Sequence, residues 1–203
     1  LDVEEKAQIL KKYLDLTANT GYARSFKNAM EDLYQIEEWT VRGILELNEQ
    51  VLQATDDPRW YSTVLREKSG IDLIITLVHQ TTFDDDMFRA VMFMDEYFDL
   101  LSLDKIRDIE SRHDRSISTL AHYIDCVHDI LDKYKKDGVL ATKLGYAYRR
   151  PLHVSKPTFH EAETVFNRIM RLSLNESLTR AESKPLQDYL IHEIIQGSRE
   201  RGM

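Results

Sequence analysis

Histidine and aspartate recur in an order that could build a metal centre. His79, the adjacent pair His113-Asp114, and Asp188 supply two imidazoles and two carboxylates. Those donor types hold a divalent ion and let it activate water. His128-Asp129 offers a second adjacent pair in the more apolar setting CVHDIL, and Glu110-x-x-His113 puts a carboxylate and an imidazole on one helix face. Helical bundles that hold two metals need such a motif twice, and the chain has no second Glu-x-x-His. His113 lies in the charged context IESRHDRS, the pattern of a solvated helix face. The expectation is therefore that no metal and no cofactor is held. The four residues His79, His113, Asp114 and Asp188 form the set that would hold a metal if one were. The acidic run FDDD (83–86) reads as a cap, since carboxylates at a helix N-terminus satisfy free amides and suit the dipole.

Nucleophilic chemistry has less support. Cys126 is the sole cysteine and sits at an apolar helical position beside Ile124 and Val127, where a thiol is buried and inert. The seven glycines form neither GxGxxG nor GxxxxGK[ST], so no phosphate cradle of that kind exists. The chain leans toward a non-enzyme. HD-type phosphohydrolases use metal ligands in the order of His79, His113-Asp114 and Asp188, and the chain resembles them in that skeleton. The resemblance implies metal-assisted hydrolysis as an alternative function. The stretch 78–102 is similar to the first two helices of a cyclin box, with Ala90, Val91, Asp95, Tyr97 and Phe98 at comparable offsets; that resemblance implies a protein-binding module.

The strongest local signal is electrostatic. Lys133, Lys135, Lys136, Lys143, Arg149 and Arg150 fall within 18 residues, interleaved with Tyr134, Tyr146 and Tyr148, and only Asp137 opposes them. Guanidinium forks bind phosphate or carboxylate, and tyrosine rings stack on bases or apolar groups. Lys135, Lys136, Lys143, Tyr146, Tyr148, Arg149 and Arg150 are thus the candidate contact residues for an anionic partner, either nucleic acid or a phosphorylated ligand.

The elements that position these residues read as helices. Asp2 and Glu5 have capping-box spacing ahead of a helix to Leu16. A long amphipathic run covers 25–55, a short helix follows TDDP over 58–67, and apolar helices are expected at 71–80 and 87–102. A second long helix is expected over 103–136, ending at Gly138. Thr158 and Glu161 open a helix to about Leu178, and Ser183-Pro185 opens the last, to Gly197. Only 139–157 is a long break, and structureless loops of that length are uncommon in compact domains. The predicted fold is an all-α domain over 1–203, a compact bundle of seven or eight helices including two long ones, with an irregular α-solenoid as the alternative.

Composition sets the remaining bounds. The chain of 203 residues carries a formal net charge of −8. Residues 1–100 hold 20 acidic and 10 basic side chains, and residues 101–203 hold 15 and 17. Net acidity disfavours general nucleic-acid binding, which rests on phosphate neutralisation. No apolar run reaches the length of a membrane span, and a single cysteine suits an intracellular setting, cytoplasmic or nuclear. Leu at position 1 fits a domain excised from a larger protein. By exclusion, the expected function is a non-catalytic interaction, scaffold or regulatory domain. Its expected partner is another protein or a second copy of itself, bound through its long helices.

Overall fold

Phe88–Phe93, expected within a helix, is a strand. The computed structural model of the chain describes residues 1–77, 80–83 and 86–203. In it β1 (Ile74–Thr76), β2 (Phe88–Phe93) and β3 (Ala141–Lys143) form a sheet in the order β1-β2-β3. Both pairings are parallel, with Ile74 opposite Phe88 and Val91 opposite Ala141. Ala90, Val91 and Met92 are buried, as befits a central parallel strand covered on both faces. The all-α expectation, as bundle or as solenoid, is therefore corrected: among the described residues the chain is mostly helical but carries this small sheet. A short apolar run cannot be told from a buried helix by periodicity alone. The cyclin-box likeness fails at the same place, because its second helix would have to include β2. Two of the aspartates expected to cap that helix, 84 and 85, lie outside the described residues.

The chain divides into two compact units, Leu1–Asp72 and Leu73–Met203. In the first, α1 (Val3–Leu16) starts at the Asp2/Glu5 capping box. The long helix expected over 25–55 is instead two, α2 (Gly21–Tyr34) and α3 (Val41–Thr55). Gln35 ends α2 in the left-handed region at φ 53°, and the Thr40 hydroxyl caps α3 by accepting from Gly43 N. A Cβ at residue 43 would stand 2.1 Å from the Glu38 carbonyl oxygen, so only glycine fits this return of the chain. Ala7, Leu14 and Ile44 form a small core, with Trp39 packed against it. α4 (Trp60–Ser62) continues into a π-helical turn, Thr63–Lys68.

In the second unit, β2 leads into α5 (Asp95–Phe98), α6 (Leu103–His113) and α7 (Leu120–Lys136). The second long helix also breaks. Asp114 is left-handed at φ 49°, Glu110 accepts the Ile117 amide at 2.6 Å, and Thr119 caps α7. After β3 come a 3-10 turn (Tyr146–Tyr148), α8 (Phe159–Ile169) and α9 (Arg180–Glu200). The predicted Thr158/Glu161 capping box is present. α9 begins a turn earlier than predicted, at a Thr179/Glu182 capping box, because the Ser183 hydroxyl donates to the Leu100 carbonyl instead. Tyr97, Phe98, Ile106, Tyr123, Phe166, Leu186 and Leu190 belong to one continuous core. Among the described residues no helix is long and apolar enough to cross a membrane.

Candidate anion-binding site

Parallel strands deliver the chain to the same end of the sheet, so the segments that leave β2 and β3 emerge side by side. They are tied there: Gly145 N donates to Asp95 Oδ1 at 2.6 Å. A Cβ at residue 145 would lie 3.0 Å from both Asp95 Oδ2 and Phe93 Cε1, so glycine permits the approach. Tyr146 then turns inward, edge-on to Phe98 with ring centroids 6.0 Å apart. The Arg150 guanidinium lies 5.7 Å from the Tyr146 ring centroid, a cation–π contact.

Arg150 is anchored from below by α9. Its side chain is 5% exposed and pairs with Asp188, which is fully buried. Asp188 also accepts from Lys184, from Ser155 N at 2.9 Å and from Ser155 Oγ at 2.6 Å. Burial pushes the Asp188 carboxyl up, but the donors Lys184, Ser155 and Arg150 outweigh it and hold the group at about 2. Arg150 Nη1 donates to Gln187 Oε1 at 3.1 Å, which turns the Gln187 amide so that its Nε2 donates to Asp99 Oδ1 at 3.0 Å.

Asp99, 3% exposed, is the hub of a second cluster. Its Oδ2 lies 3.2 Å from Arg149 Nη1, 3.4 Å from Arg180 Nη2 and 3.5 Å from Lys105 Nζ. These cations come from the β3 exit, the first turn of α9 and the first turn of α6. Their side chains remain 53%, 44% and 40% exposed. Three positive charges therefore converge on one buried negative charge, with a face open to solvent.

The residues named from sequence distribute unevenly over this arrangement. Arg149 belongs to the open rim, and Arg150 and Tyr146 to its inward anchor. Tyr148 is 91% exposed beside it. Lys143 ends β3 and is exposed. Lys135 and Lys136 close α7, which feeds the start of β3, so they lie at the opposite end of the sheet; Lys135 Nζ is 3.4 Å from the Gly202 carbonyl oxygen. Asp99, Lys105, Ser155, Arg180, Lys184 and Gln187 join the site through the fold, outside the basic stretch of the sequence. The signal that could have found some of them is in KPLQDYLI (184–191), where Gln187 and Asp188 interrupt an apolar helix face and Lys184 stands one turn before Asp188.

Among the described residues the metal candidates do not come together. His79 lies outside the described residues. His113 Nε2 is 3.3 Å from the Tyr97 hydroxyl, and burial, then Arg112, lowers its affinity for a proton. Asp114 is the left-handed residue that ends α6. Asp188 has its oxygens occupied by nitrogen and hydroxyl donors. His128 is near Arg201 and Glu193, and Asp129 pairs with Arg115. Among the described residues no three His, Cys, Asp or Glu side chains converge as a metal would need. Cys126 is buried, and burial raises its thiol.

Fold and site together define a helix-rich α/β unit with a basic rim at the carboxyl end of a parallel sheet. Comparison with protein-family models, curated proteins and solved structures gave no match.

Proposed function

We propose that the second unit binds a small anion at the carboxyl end of its sheet, through Lys105, Arg149 and Arg180. The observation that carries this reading is their convergence, from three separate segments, on the single oxygen Asp99 Oδ2 while all three stay 40–53% exposed. Open α/β sheets take ligands outside the carboxyl ends of their strands. A confined anion is favoured over a nucleic-acid strand because the three cations converge on one oxygen, whereas Lys135 and Lys136 lie at the other end of the sheet. Inorganic phosphate, titrated calorimetrically into the chain at low ionic strength, should bind, and binding should weaken as salt is added. The double variant Arg149→Met/Arg180→Met should lose binding; it takes two cations from the buried Asp99 while Lys105 and Gln187 stay as its partners, so its unfolding midpoint is measured alongside to show that the fold survives. Failure of phosphate, sulfate and acetate alike to bind would sink the proposal.

A second reading, association with a protein, has one observation in its favour within the first unit. Leu10, Phe26, Met30 and Val51 line an open apolar groove of about 420 Å³, and Tyr13, Leu16 and Tyr22 are 58%, 68% and 94% exposed. Light scattering that gives a monomer at high concentration would remove self-association from this reading.

A further inference from the structure

We infer that the anion this rim takes is a compact dianion, the terminal phosphate of a phosphomonoester, rather than a monoanion; the inference rests on the anion-binding reading above. Charge and spacing both point there. Among the described residues Asp99 is the one carboxylate paired with Lys105, Arg149 and Arg180, a local surplus of two positive charges. Asp99 cannot turn away to balance a different ligand. Its Oδ1 is held by Gln187 Nε2, whose amide is fixed by Arg150, which Asp188 holds in turn.

The three nitrogens lie 3.2, 3.4 and 3.5 Å from one oxygen. By the triangle inequality, no two of them are more than about 7 Å apart, since 3.4 and 3.5 Å in line give the largest separation. Several oxygens on one phosphorus can each meet one of the nitrogens gathered this closely. Arg149 gives only Nη1 and Arg180 only Nη2 to Asp99. Among the described residues no other protein acceptor engages either guanidinium, so the remaining N–H groups can bridge outward to phosphate oxygens. Charge-assisted forks of this kind are the strong form of anion recognition.

Methyl phosphate and dimethyl phosphate, titrated into the chain at pH 8 and low salt, separate the possibilities, because the first is a dianion and the second a monoanion. Methyl phosphate should bind at least roughly tenfold tighter, with sulfate close to it and acetate close to dimethyl phosphate. Arg149→Met and Arg180→Met should each weaken methyl phosphate by roughly tenfold or more and erase the preference. Lys136→Met, which removes the same charge at the other end of the sheet, should change nothing. Equal affinity for the monoanion and the dianion overturns this inference and leaves the anion site standing. Binding by no anion, or binding that Lys136→Met weakens as much as Arg149→Met, overturns the site itself.

Discussion

Replacing Asp188 by Asn tests whether the lock beneath the rim has the strength its surroundings imply. Two routes give its magnitude. The carboxyl titrates at about 2 in the folded chain against an ordinary 3.8, and at about 1.4 kcal/mol per pH unit the charged form contributes about 2 kcal/mol to folding. Asn also strands Arg150, 5% exposed, without its counter-charge, and removing one partner of a buried pair costs about 3–5 kcal/mol. Lys184, 35% exposed, can turn to water, so a loss of about 3 kcal/mol is expected at pH 7. The sign with pH follows from the depressed folded value. The contribution is complete above pH 4 and is lost as pH falls through 2, so the gap between wild type and variant should close over that interval. Urea unfolding followed by far-ultraviolet circular dichroism at pH 7, 4 and 2.5 measures it. An unchanged midpoint at pH 7, or a gap that stays constant down to pH 2.5, refutes the reasoning.

Two further outcomes test the packing. Gly43→Ala should destabilise the first unit by about 2 kcal/mol or more, because overpacking against the Glu38 carbonyl outweighs the helix propensity gained; both tryptophans, Trp39 and Trp60, lie in this unit, so an unfolding midpoint read by their emission that stays or rises would contradict the contact. Tyr123→Phe removes the buried donor to the Tyr97 carbonyl, 2.7 Å away, and should lower the urea midpoint by the equivalent of about 1–2 kcal/mol; an unchanged midpoint would mean that the carbonyl finds another donor.

Local chemistry was legible in the chain and its long-range consequences were not. The Asp2/Glu5 and Thr158/Glu161 capping boxes are realised because their hydrogen bonds close within three residues. Periodicity joins each pair of helices into one long helix because what separates them is only a short stretch. At Gln35 and Asp114 the backbone turns left-handed, and Thr40 and Thr119 then start new helices inside what periodicity alone joins. The strands were hidden because β2 is satisfied by partners at 74–76 and 141–143, pairings no local pattern encodes. The break at 139–157 was visible, but its order was not. β3 and the 3-10 turn lie inside it, and Ser155 and Arg150 fasten it to an aspartate 33 and 38 residues away. Of the candidate site, Arg149 and Arg150 were named from charge density. Asp99, Lys105 and Arg180 were not, because only the fold brings residues so far apart in sequence to one oxygen.

Asp188 and Asp99 carry the same charge in the same unit, and what surrounds each assigns them different work. Asp188 is enclosed, and its two cations, Arg150 and Lys184, also donate to the His153 carbonyl; the Arg150 charge is buried with it. Among the described residues every buried side-chain nitrogen or oxygen has a partner, as a network that fixes a fold requires. Asp99 is equally buried, but its carboxylate oxygen meets its cations at 3.2–3.5 Å. Lys105 also donates to the Asp99 backbone carbonyl at 2.5 Å and so holds the end of α5, and together the three cations outnumber the one carboxylate they face. What the fold leaves open is the outer side of Arg149 and Arg180, each of which gives Asp99 a single nitrogen, and an anion arriving from solvent would complete the charge that Asp99 leaves unbalanced.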